Sequence, residues 1–177
     1  LERVLNIPLG GGLGDLKLKE IPIRNRINEM SFDIPIAHEG NSLCSYDLAN
    51  IFKEDVDSRF SFEYAKQLKK LNFKSKGFLT GSIDLVFTDS NDLSNSRWWI
   101  VDWKSNWLGT EKENGQEINC GPENYTGKAM EALMILNHYP LQAHLYLVAL
   151  HRYLKWRLPD YKLEKNLGGY IYMFLRG

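Results

Sequence analysis

A chain of 177 residues is one ordinary domain's worth of sequence, long enough to bury a sizeable core. Its 22 Lys and Arg balance 22 Asp and Glu, so it lacks the overall basic field of a free-standing, non-specific polyanion binder. No apolar stretch approaches the ~20 residues that span a membrane, no secretory leader is visible, and Cys44 and Cys120 are too few for a disulfide framework or a zinc knuckle. There is no initiator Met and the end falls inside a strand-like run, so the chain reads as a fragment of a longer protein.

Leu1 to Ile7 reads as the tail of a helix. The cluster Gly10-Gly11-Gly12-Leu13-Gly14 lacks the Lys and Ser/Thr of a phosphate-cradling P-loop and reads as a flexible loop. Ile27 to Ile36 is expected to be a strand with Met30, Phe32, Ile34 and Ile36 on one face. Asn28 and Ser31 lie off that face, and Glu29 points to the opposite one. Ser45 is placed to cap a helix running to about Val56, with Leu48, Ile51 and Phe52 as its apolar side. A second helix covers Ser61 to Leu71. Tyr64, Leu68 and Leu71 form its stripe, and Lys66, Lys69 and Lys70 a wet face that reads as solvated more readily than as phosphate contacts.

Gly81 to Lys104 carries the chemistry. Two apolar runs, Ser82-Ile83-Asp84-Leu85-Val86 and Trp98-Trp99-Ile100-Val101-Asp102, flank a loop of Asn, Asp and Ser, the pattern of a hairpin. Asp84 and Asp102 are carboxylates where burial is expected, and a buried unpaired carboxylate is costly. Side by side at ~4 Å they would repel by about 4 kcal/mol at an effective dielectric near 20. A divalent cation removes that cost, and oxygen-only ligation favours Mg²⁺ or Mn²⁺. Residues two apart share a strand face, so Lys104 faces as Asp102 does and Trp103 faces away. An ammonium beside a cation-binding carboxylate suits phosphodiester hydrolysis. The alternative is a structural salt bridge at a strand end.

Gly109 to Asn124 is an acidic loop beginning five residues after Lys104. Tyr125 to Tyr139 has helical spacing in Met130, Leu133, Met134 and Asn137, and Pro140 ends it or opens the next helix. Leu141 to Leu158 is the strongest helix, with Leu145, Val148 and Leu154 in the core. Gln142 and Tyr146 are four apart and project together. His144 and His151 have no metal-ligand pattern, and Arg152, Lys155 and Arg157 form a basic end. Gly168 to Leu175 reads as the last strand, apolar on both faces.

Several ordered runs together resemble the RecB-like PD-(D/E)xK nuclease family, of the exodeoxyribonuclease V type. They are Gly81-Ser82-Ile83-Asp84, Asp102-Trp103-Lys104-Ser105-Asn106-Trp107-Leu108-Gly109, Tyr139-Pro140-Leu141-Gln142-Ala143-His144-Leu145-Tyr146 through Leu150-His151-Arg152-Tyr153-Leu154, and Gly168 to Gly177. The likeness is strong from about Gly77 onward and fainter upstream, where Glu29-Met30-Ser31-Phe32 anchors it. It implies a single α/β domain of restriction-endonuclease-like fold, a mixed β-sheet flanked by α-helices. It implies a Mg²⁺-dependent DNA exonuclease, with Mn²⁺ or Ca²⁺ able to substitute in binding. Asp84 and Asp102 would be metal ligands, with the Trp103 carbonyl, and Lys104 would assist the attacking water. Gln142 and Tyr146 would face the metal and position the substrate strand, and Glu29 matches an acidic position of the family.

The resemblance also implies single-stranded or duplex DNA ends as substrate, RecC-like and RecD-like partner subunits, a role in break repair and recombination, and the bacterial cytoplasm. With no net charge, DNA would be held mainly at the metal site or delivered by a partner. Some family members hold an iron–sulfur cluster with four cysteines, which this chain lacks. The family's upstream helical histidine has no counterpart here: His38 is the only histidine before Asp84 and reads as a loop after a strand. That counterpart is expected before Leu1. Helicase motifs are absent, so ATP hydrolysis is not assigned to these residues. The second class of function is a non-catalytic DNA-binding or subunit-docking module on the same fold.

Overall fold

A computed structural model of the chain describes residues 2–36, 42–54, 61–92, 95–109 and 120–177. In order these form α1 (Glu2–Leu5), β1 (Arg26–Pro35), β2 (Leu43–Cys44), α2 (Ser45–Glu54), α3 (Ser61–Lys70), β3 (Lys74–Ser75), β4 (Phe78–Thr88), β5 (Trp98–Lys104), α4 (Gly127–Leu136), α5 (Tyr139–Arg157), α6 (Leu163–Asn166) and β6 (Leu167–Phe174). The main sheet has the order β1-β4-β5-β6. Antiparallel β4–β5 and parallel β5–β6 pairing make it mixed. This is the α/β, restriction-endonuclease-like class that the sequence implied. No helix among the described residues is long and apolar enough to cross a membrane.

The chain divides into two compact units. The first comprises Leu1–Ser31, Ser82–Tyr125 and Tyr146–Gly177. Its frame is the β4–β5 hairpin, in the register Leu85↔Val101 and Phe87↔Trp99. Directly opposed residues share a face, so strand alternation gathers Leu85, Phe87, Trp99 and Val101 against Leu18 and Ile21. Trp103, Ile171 and Met173 pack on the same cluster. Each such side chain contributes about 1.5–3 kcal/mol on burial. The opposite parity leaves Ile100, Asp102 and Lys104 on the other face. β6 runs beside β5 with a register shift at Trp98/Trp99. There Gly168 lies under the Trp99 indole so closely that a Cβ would meet ring carbon Cε2 at 2.3 Å, and Gly169 has φ 135°. Only glycine fits this bulge.

The second unit comprises Phe32–Gly81 and Thr126–Leu145. Its core joins Leu48, Ala49 and Phe52 of α2 to Tyr64, Ala65 and Leu68 of α3, with Ile135 and Leu141 packed alongside. Two apolar assignments change. Ile51 is 50% exposed and Leu71 40% exposed. Ala49 takes the place of Ile51 because the buried stripe of α2 is 48, 49 and 52. Leu71 follows the end of α3, where Asn72 turns left-handed at φ 43°. Ser45 is already helical, and the cap comes from Asp47, whose carboxylate accepts the Cys44 N–H at 3.2 Å. α4 starts later than expected because Thr126 Oγ1 accepts the Ala129 N–H. His138, at φ 55°, separates it from α5, whose first turn accommodates Pro140.

Candidate active site

Asp102 and Lys104 close β5, and the two-residue strand period turns both to the face away from the Trp99 cluster. Both are buried, at 5% and 7% exposure. The Lys104 ammonium and Asp102 Oδ2 form an ion pair. That oxygen is otherwise buried without a regular hydrogen bond among the described residues. The ammonium also lies over the Tyr172 ring, 4.9 Å from its centroid. Parallel pairing explains this, because Tyr172 stands beside Asp102 and Phe174 beside Lys104. Tyr170 meets Tyr172 edge-on at 5.4 Å. Backbone bonds hold the strand end: the Lys104 carbonyl accepts the Leu175 N–H at 2.9 Å, and the buried Tyr125 hydroxyl donates to the Asn106 carbonyl at 2.7 Å.

Asp84 is half-buried on β4. One step beyond Leu85↔Val101 the same register sets it opposite Asp102, on the same face. Its Oδ2 accepts the Trp103 N–H at 2.9 Å. In an extended residue the N–H and C=O point to the same side, so the Trp103 carbonyl also faces β4. Burial pushes the Asp102 carboxyl above its ordinary value; Lys104 pulls it back, and the charge of Asp84 adds to the rise.

Asp84, Trp103 and Glu29 line one open recess of about 470 Å³, together with Arg26 and Asn28. Glu29 is exposed and left-handed, with φ 52°. This is uncommon for a residue with a side chain, and it breaks the alternation of β1. It is why Asn28 is exposed while Met30, two residues on, is buried.

Gln142 and Tyr146 are half-buried, one turn apart on α5. Gln142 falls in the second unit and Tyr146 in the first. His38 and residues 110–119 of the acidic loop lie outside the described residues. His144 packs on Phe52 with ring centroids 5.4 Å apart, and His151 Nδ1 is bonded to the Tyr161 hydroxyl at 2.8 Å. Both act in packing. Of the α3 lysines, Lys66 pairs with Glu63 and Lys69 lies over the Tyr46 ring. Two residues at the site escaped the sequence reading, Tyr172 and Tyr125. Each depends on pairing to a strand or loop distant in sequence.

Among the described residues no three His, Cys, Asp or Glu side chains cluster as a metal site. The donor set here is smaller: the carboxylates of Asp84 and Asp102 and a backbone carbonyl. It fits a hard cation that keeps several waters and binds through one or two carboxylates, as Mg²⁺ does.

No family model matches the chain. Curated proteins do. It is 34% identical over 178 residues to the RecBCD enzyme subunit RecB of Mycolicibacterium smegmatis, covering 96% of this chain. It is 35% identical over 164 residues to that of Escherichia coli, covering 92%. The Haemophilus influenzae subunit is 29% identical over the whole of the chain. Over this segment the chain is a RecB homologue. It spans only 12–16% of the length of these RecB relatives. The similarity therefore concerns one region of a RecB chain, and that region holds Asp84, Asp102 and Lys104.

Proposed function

We propose that this segment is the nuclease domain of a RecB-type chain and hydrolyses phosphodiester bonds at DNA ends. The observation that carries the reading is one sheet face at the end of β5, where Asp102 and Lys104 are buried together and Asp84 stands opposite. Asp84, Asp102 and the Trp103 carbonyl would hold Mg²⁺, with Mn²⁺ or Ca²⁺ able to replace it in binding. When bound, such a cation polarises a phosphoryl oxygen and lowers the pKa of a bound water.

The chain's own residues do the rest. The Lys104 ammonium, held by Asp102 and the Tyr172 ring, offers N–H donors to the attacking water or to the charge that develops on phosphate. Its position is fixed before substrate arrives, so no reorganisation is needed during reaction. Glu29, beside Asp84 in the recess, supplies a further acidic group. Gln142 and Tyr146 orient the substrate strand from α5. RecC-like and RecD-like subunits deliver DNA to a domain that carries no basic field of its own.

The Lys104–Asp102 pair also favours a second reading, since a mutually satisfied ion pair suits a structural salt bridge in a non-catalytic docking module. Cleavage of linear single-stranded DNA by the full chain separates the two. The nuclease requires a divalent cation and loses activity with Asp84→Asn or Lys104→Gln. Absent cleavage favours the docking module, and cleavage that needs no metal contradicts the assigned cation role instead.

A further inference from the structure

The last two turns of α5 set an exposed aromatic side chain among cations. Trp156 is 75% exposed. The run His151-Arg152-Tyr153-Leu154-Lys155-Trp156-Arg157 holds three cations and no carboxylate, in a chain whose total charge is zero. Arg152, Lys155 and Arg157 are all exposed. The Arg157 guanidinium lies over the Trp156 ring, 5.0 Å from its centroid, and Tyr153 stands edge-on at 6.4 Å. Helical spacing brings Arg152, Lys155 and Trp156 to one side of the helix.

Two simpler explanations fall short. Cations in a last helical turn complement the helix dipole, which accounts for Lys155 and Arg157 but not for a tryptophan three-quarters in water. Core packing is met by Leu154, which is 1% exposed in the same turn. A protein groove would accept the tryptophan, but it gives no reason for the guanidinium stacked on that ring and the exposed lysine next to it. A polyanion with flat apolar bases gives both reasons.

We infer that this end of α5 is a stacking platform for single-stranded nucleic acid. Arg157 covers one face of the Trp156 indole and a base takes the other, while Arg152 and Lys155 meet the flanking phosphates. Aromatic faces accept any base, so the platform grips a strand without reading its sequence. It shares the substrate class of the proposed nuclease but not its site.

The test uses the full chain in EDTA, so that no cleavage is required. An oligo(dT) carrying 5-iodouracil is irradiated and the crosslinked residue mapped by mass spectrometry. Crosslinking at Trp156 or Tyr153 is expected. Trp156→Ala should abolish it and weaken binding about 5- to 150-fold, and Trp156→Tyr should largely restore both. Lys155→Gln and Arg157→Gln should each reduce the salt slope of binding by about 0.7. Crosslinks confined to other residues, with Trp156→Ala binding as tightly as the parent, would overturn the platform. A chain that crosslinks at Trp156 but never cleaves DNA keeps the platform and rejects the nuclease; the converse pattern rejects the platform alone.

Discussion

Lys104 is a buried cation whose partner is a buried anion, and such a pair is sensitive to the loss of either member. Removing one leaves an uncompensated charge, which typically costs about 3–5 kcal/mol. Lys104→Ala is therefore expected to lower stability in EDTA by about that much, and Mg²⁺ should recover more stability in this variant than in the parent. Thermal unfolding with and without Mg²⁺ measures both; no Mg²⁺ shift in either protein would mean that no cation binds beside Asp102. Tyr172 permits a finer test. A cation–π contact contributes about 0.5–2 kcal/mol. Tyr172→Leu should lower kcat about 2- to 30-fold with little change in KM, while Tyr172→Phe keeps the ring and should keep the rate. Equal loss in both variants would point to the hydroxyl instead. The common face of Asp102 and Lys104 was legible because a strand has a period of two. The place of Tyr172 was not, because parallel pairing of β5 with β6 is set by a long crossover.

At the scale of elements, two contacts invite measurement. Gly168 supports the Trp99 indole at the bulge between β5 and β6. Gly168→Ala forces a side chain into that ring and is expected to cost about 1–3 kcal/mol, read as a lower urea midpoint; an unchanged midpoint would mean that the strand shifts freely. In the second unit Tyr64 is fully buried, and its hydroxyl is bonded to His138 Nδ1 at 3.2 Å. Burial pushes this phenol far above its ordinary 10.0. A raised folded-state value stabilises the fold fully below pH 10 and loses that contribution as pH rises further. Stability should thus fall above pH 10 in the parent and fall less steeply in Tyr64→Phe, which gives up about 1 kcal/mol at neutral pH for its lost hydrogen bond. Parallel alkaline slopes would remove Tyr64 as the cause. Helix positions were legible from spacing, but caps were not. Ser45 and Asp47 are both good capping residues, and only backbone geometry decides between them.

At the scale of the molecule, the alternation of strands and helices around one hairpin was enough to indicate a mixed α/β sheet. The division into two compact units was not legible. Each unit is assembled from separated stretches, Phe32–Gly81 with Thr126–Leu145 in one case, and no Pro- or Gly-rich linker marks the crossings. The site repeats the lesson. Asp84 and Asp102 could be paired from hairpin register, whereas the left-handed backbone at Glu29, which lines the same recess as Asp84, was not legible. The central claim is that Asp84, Asp102 and Lys104 form a cation-dependent phosphodiesterase. The most direct measurement is turnover of linear single-stranded DNA by the full chain as Mg²⁺ is titrated, with Mn²⁺ affinity measured by calorimetry on the parent and on Lys104→Gln. Cleavage should be absent without the cation and rise with it. In Lys104→Gln it should fall about 10²–10³-fold, with affinity unchanged or tighter because a like charge has gone. Cleavage that needs no cation, or normal turnover in Lys104→Gln, would contradict the account.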